Sequence, residues 1–130
     1  MTAPGNASPI RCGTEVWKTI AVFDVGASGA MTLKYGKGVV SCAKTGTGAY
    51  TVTFTEDVGP VLLDMAVRFQ TVAADETLCP HYVVDSFDKT TDPEAPTALF
   101  EVNEIDETEA LVEPASGSDC YIECTWLKTV

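Results

Sequence analysis

Residues 38–60 read GVVSCAKTGTGAYTVTFTEDVGP, and the reading of this stretch decides the fold. Tyr50, Val52 and Phe54 alternate with Thr51, Thr53 and Thr55, a period of two that puts apolar side chains on one face of a strand and hydroxyls on the other. The run VVSCAK precedes it, and between the two lie Thr45, Gly46, Thr47 and Gly48, whose glycines can take the positive φ that tight hairpin loops need. The stretch therefore predicts a β-hairpin with one apolar face. A row of threonines on the other face suits a solvated or partner-facing sheet surface better than a cofactor pocket.

The same alternation continues on both sides. In VWKTIAVFDV, residues 16–25, Trp17, Ala21, Phe23 and Val25 share one face and Lys18 and Asp24 the other. GASG then turns the chain into AMTLKY, where Met31, Leu33 and Tyr35 alternate with Thr32 and Lys34. Beyond the hairpin, Val61 to Gln70 contains helix-compatible Leu62, Leu63, Met65 and Ala66, but Leu63, Met65, Val67 and Phe69 alternate with Asp64, Arg68 and Gln70, so a strand is expected. VLLDMAVRFQTVA is expected to pair with HYVVDSF across the acidic loop ADETLCP, with Pro80 at a strand start. DKTTDPEAPT reads as a loop. TALFEVNEI and DCYIECTWL are expected to form a last hairpin around DETEALVEPASGS, with Cys120, Ile122, Cys124 and Trp126 on one face. About eight short strands at regular spacing predict an all-β chain, a single antiparallel β-sandwich or barrel-like domain over residues 16–130. Residues 1–15, with Pro4, Gly5, Pro9 and Gly13 among small polar residues, predict an extended N-terminal arm.

Composition supports this class and narrows the partners. The chain has 130 residues, 45% of them hydrophobic and 21% charged, enough for one self-standing core. Its net charge of −11 is uneven. Residues 1–50 carry five basic and two acidic side chains, and residues 51–130 carry three basic and seventeen acidic. An acidic surface of this kind repels phosphate backbones, so no nucleic-acid partner is expected. No run approaches the roughly 18 apolar residues of a membrane span, so no membrane partner is expected either. MTAPGNASPIRCG has no basic-then-apolar order of the kind that marks a signal peptide, which predicts synthesis in a cytoplasm. Five cysteines, Cys12, Cys42, Cys79, Cys120 and Cys124, form neither a CxxC pair nor an even set; they are expected to be reduced and mostly buried.

The search for chemistry yields little. The single histidine, His81, sits beside Pro80 in LCPHYV, a setting more often structural than catalytic. No nucleophile elbow, glycine-rich phosphate loop, HExxH or EF-hand spacing occurs. The carboxylate run Glu101, Glu104, Asp106, Glu107 and Glu109 is the best candidate for a calcium ion, although it lacks the Asp-x-Asp-x-Asp-Gly order. The expectation is a protein that is not an enzyme, with no catalytic residue, no assigned metal ligand and no cofactor.

Two segments carry a resemblance. YGKGVVSCAKTGTGAYTVTFTEDV, ending in a Tyr-x-Val-x-Phe strand after Gly-x-Gly, and ALVEPASGSDCYIECTW, with its Glu-Pro turn before the closing strand, resemble the short β domains of tailed-bacteriophage virion proteins. Together with the strands between them they span most of residues 16–127. The resemblance implies a structural protein of the virion. With neither heptads nor repeats in the chain, it implies a capsid decoration (cement) protein on the outer surface of the head, partnered by the major capsid protein and by its own copies, as a trimer. The mildly basic N-terminal half would then face the capsid, with Arg11, Trp17 and Lys18 as first contact residues because Arg and Trp are enriched in interface hot spots. The alternative it implies is a tail-fibre or baseplate module that binds a host receptor or glycan through exposed aromatics such as Tyr121 or Trp126.

Overall fold

A computed structural model describes residues 9–11, 15–70, 78–104 and 110–128. The strands are β1 (Ile10–Arg11), β2 (Val16–Val25), β3 (Met31–Lys37), β4 (Val39–Gly46), β5 (Ala49–Phe54), β6 (Val61–Gln70), β7 (Leu78–Tyr82), β8 (Thr97–Glu104) and β9 (Asp119–Leu127). They form two antiparallel sheets. The first runs β1-β2-β9-β6 with β3 also on β2, and the second runs β4-β5-β8-β7. The all-β sandwich expected from the sequence is present, open at its borders, so the barrel-like alternative does not apply.

Each core strand buries alternate residues, as the period of two requires. Phe23 on β2, Tyr50, Val52 and Phe54 on β5, Phe100 on β8 and Ile122 and Trp126 on β9 meet in one buried cluster between the sheets. Tyr50 stacks on Phe100 at 5.0 Å between ring centroids, and its hydroxyl donates to the Gly29 carbonyl at 2.7 Å, so the polar end of a buried ring is satisfied. Trp126 takes Phe54 and Phe87 edge-on, each at 4.9 Å. The β4–β5 hairpin turns through Thr47 and Gly48 between the paired residues Gly46 and Ala49. Of its two glycines only Gly48 has positive φ, +66°, and a side chain there would collide with the Val102 carbonyl.

The pairing differs from the sequence reading in three places. β6 and the strand that follows it do not pair. β6 lies against β9 in the first sheet, and β7 against β8 in the second. That second strand is Leu78–Tyr82 and not HYVVDSF, and it holds Pro80 in its interior, opposite Val102. A proline is tolerated there because β7 is an edge strand, where the missing N–H costs no ladder bond. Nor do Thr97–Glu104 and Asp119–Leu127 form a hairpin: β8 pairs with β5 and β7, whereas β9 crosses to the other sheet and lies between β2 and β6. In β6, a register shift between Leu62 and Asp64 turns Leu63 outward to 53% exposure, so the expected apolar row loses its first member. Of the remainder, Met65 and Val67 are buried and Phe69 is partly buried against the core.

The chain passes from β3 in one sheet to β4 in the other through Gly38 alone, at φ +79°. A Cβ there would stand 2.4 Å from Thr19 Cγ2, so only glycine fits this crossing. Of the expected N-terminal arm, Ile10–Arg11 is a short strand on β2.

Candidate binding surfaces

The three residues expected to contact a partner come together on one ladder. Arg11 pairs with Trp17 and Ile10 with Lys18 in the β1–β2 register. Adjacent residues of a strand point to opposite faces, and Trp17 and Lys18 follow that rule. Trp17 lies against the core cluster with the Lys128 ammonium 4.3 Å from its ring centroid. Lys18 lies on the outer face and binds Glu123 at 2.6 Å. They are therefore not one contact patch, and Trp17 is in large part a core aromatic. Partial burial, then the charge of Lys89, lowers the Lys128 pKa from its ordinary value, while its ammonium donates to the Asp57 carbonyl.

The basic N-terminal half does not become a basic face. Lys18 pairs with Glu123, Lys34 with Asp119 at 3.3 Å as well as with Asp24 at 3.4 Å, and Lys44 with Glu113. Three of the five early cations thus meet acids from the late half, Lys18 and Lys34 because β9 lies beside β2 in the first sheet, and Lys44 through the segment that precedes β9. These pairs take up most of the early cations, and the excess of late acids remains.

Titratable groups elsewhere serve the fold. His81 Nε2 lies 3.7 Å from Glu101 Oε1 across the β7–β8 pair. Among the described residues, no three of His, Cys, Asp or Glu gather as a metal site; of the carboxylate run, Glu101 lies within β8 and Glu104 ends it, and Asp106, Glu107 and Glu109 lie outside the described residues. Cys42, Cys120 and Cys124 are buried free thiols and Cys79 is exposed; Cys12 lies outside the described residues. Burial pushes the Cys42 and Cys124 thiols up to about 12, and Cys120 well above its ordinary value. In the loop before β8, the Asp88 carboxylate accepts from the hydroxyls and backbone N–H groups of Thr90 and Thr91. Those bonds, the Thr91 hydroxyl first, hold its pKa well below the usual carboxylate range.

What distinguishes the surface is the contrast between the outer face of the first sheet and the β4–β5–β8 part of the second. On the first, Lys18, Lys34 and Arg68 alternate with Asp24, Asp64, Asp119 and Glu123. On the second, the cross-strand rows Ser41, Thr53, Thr97 and Ala43, Thr51, Leu99 have no charged member on a chain of net charge −11, and charge returns in the next row, where Glu101 lies between Ala49 and His81. Leu99 is 38% exposed at its margin, and Val84 is 76% exposed one residue beyond the Val83 N–H that donates to the Leu99 carbonyl at 3.0 Å. The centres of protein interfaces are depleted of charge, since a partner that settles there need not strip water from ions. The threonine row on β5 made part of this face legible in the sequence. Its continuation through Leu99 and Val84 depends on pairings with β8 that no local pattern reveals.

Of the two aromatics expected to meet a glycan, Trp126 is fully buried, which removes it from that role. Tyr121 stays at the surface beside an open depression of about 320 Å3 lined also by Arg68, Phe69 and Gln70. Its hydroxyl donates to Gln70 Oε1 at 3.1 Å. Comparison with known proteins found no matching family model, no matching curated protein and no matching solved structure.

Proposed function

We propose that this protein is a bacteriophage capsid decoration protein, which docks on the major capsid protein at the outer surface of the head and stabilises it. The observation that carries the reading is the uncharged grid on the second sheet, with Leu99 and Val84 exposed at its edge; the resemblance of the β3–β5 and β9 segments to virion β domains supplies the partner. A ligand that prefers the assembled shell stabilises it by mass action. Many copies docked on a repeating lattice raise the stability of the whole without any new contact type.

The test is co-sedimentation of the purified protein with mature heads, with intact fibreless tails and host cells as parallel targets and the bound copies counted. Saturation at hundreds of copies per head is expected for an icosahedral lattice of repeated sites. Leu99→Asp is expected to weaken binding about tenfold or more, since it puts a charge into the docked face, and to leave the denaturation midpoint nearly unchanged because Leu99 points to solvent. Binding to heads that Leu99→Asp leaves unaltered would sink the docking surface. Binding to cells alone would favour the second reading, a host-glycan module centred on Tyr121 and its depression.

A further inference from the structure

The borders of the sandwich are not equally protected. On one side β3 continues into β4 through Gly38, and β1 and β3 both lie against β2. On the other side β7 is short and carries Pro80, a residue that blunts an edge. β6 has β7 of the second sheet close beside it, as β3 has β4, but no strand of its own sheet covers its free side. It is ten residues long, contains neither proline nor lysine, and among the described residues pairs only with β9. Its bulge lies at its start, so Asp64–Gln70 runs in regular register. A long open edge of this kind is a template for another strand.

The side chains on this edge point to a particular partner. Asp64, Ala66 and Arg68 are exposed on its outer face, and among the described residues neither Asp64 nor Arg68 forms an ion pair. We propose that β6 pairs antiparallel with β6 of a second copy about a two-fold axis at Ala66, so that Asp64 of each copy faces Arg68 of the other. The arithmetic of antiparallel pairing then makes Ala66 meet Ala66 and Met65 lie opposite Val67. Directly opposed side chains stand about 5 Å apart at Cβ, within reach of an Asp–Arg pair. β6 has one acid and one base, so two copies of a −11 chain can approach there without local repulsion. A two-fold axis makes the contact self-complementary; it takes the place of the three-fold arrangement that the resemblance implied, and it does not rest on capsid binding.

Sedimentation equilibrium of the isolated protein over a concentration series tests this directly, with Asp64→Arg, Arg68→Asp, their one-to-one mixture and the double variant. Wild type is expected to dimerise. Each single variant opposes like charges twice per dimer, and its dissociation constant is expected to rise about tenfold or more. The mixture restores both pairs and is expected to form a heterodimer, and the double variant, with the charges exchanged, to dimerise like wild type. Both positions are exposed, so circular dichroism and denaturation midpoints should match across the set. A wild-type monomer, a trimer, or a dimer indifferent to the exchanges would each overturn the proposal.

Discussion

Replacing Thr19 by valine keeps the shape of a fully buried side chain and removes one hydroxyl. That hydroxyl accepts the indole N–H of Trp126 at 3.1 Å, where neither residue has any exposure to water. Such a bond is worth about 1 kcal/mol net, but an indole N–H left buried without an acceptor raises the cost of the substitution to about 1–3 kcal/mol. The neighbouring Cys124 sulfur, which hydrogen-bonds with Thr19, is too weak an acceptor to replace the hydroxyl. In urea, Thr19→Val should lower the unfolding free energy by that amount at unchanged slope. At about 4 °C per kcal/mol for a domain of this size, the melting temperature should fall by roughly 4–12 °C. Trp126→Phe removes the donor and leaves space beside Phe54 and Phe87, so it is destabilising by itself. On that background Thr19→Val no longer orphans an N–H, and the two substitutions should couple by about 1–2 kcal/mol. Equal cost of Thr19→Val in both backgrounds, or a Thr19→Val protein as stable as wild type, would refute the hydrogen-bond account of this site.

Two further perturbations follow from the packing. Gly38→Ala combines a left-handed backbone, at φ +79°, with a Cβ only 2.4 Å from Thr19 Cγ2; the two costs together amount to about 2–5 kcal/mol, and a thermal melt within 2 °C or so of wild type would contradict the close approach. Alkaline pH should also destabilise the fold. Cys42 and Cys124 titrate near 12 in the folded chain against an ordinary value of 9.0, and burial raises Cys120 as well. The folded state therefore holds protons that the unfolded chain releases, so stability is intact below pH 9 and falls between 9 and 12, by about 1.4 kcal/mol per pH unit for each thiol. Urea midpoints unchanged between pH 8 and 10 would show that these thiols are not buried as described.

The strands themselves were readable because alternation is local. Ala21, Phe23 and Val25 in β2, Tyr50, Val52 and Phe54 in β5, and Cys120, Ile122, Cys124 and Trp126 in β9 all point inward as their spacing requires. The exceptions are also local in cause: the bulge at Leu62 and Asp64 reverses Leu63 and leaves Met65 and Val67 in place. Even the strand preference of VLLDMAVRFQ over a helix rested on side chains a few residues apart.

Partner choice was not readable, because backbone hydrogen bonds are alike for every strand and carry no label for their neighbour. Successive strands such as β6 and β7 looked like a hairpin, yet each pairs elsewhere, and β9 returns from the C-terminal end to lie between β2 and β6. That placement decides what the surface can do. It brings Glu123 to Lys18 and Asp119 to Lys34, so that these early cations are paired instead of gathered on a basic face, and it takes Trp126 out of reach of any ligand. It also leaves β6 with one open side and sets Leu99 beside the threonine row of β5. The sequence by itself determined the class of the fold and the inward face of most strands. Only the tertiary structure decided which charges meet, which edge strand is left unpaired and which cross-strand rows stay uncharged, since these depend on contacts between residues more than a hundred positions apart, such as Lys18 and Glu123, whose numbers differ by 105.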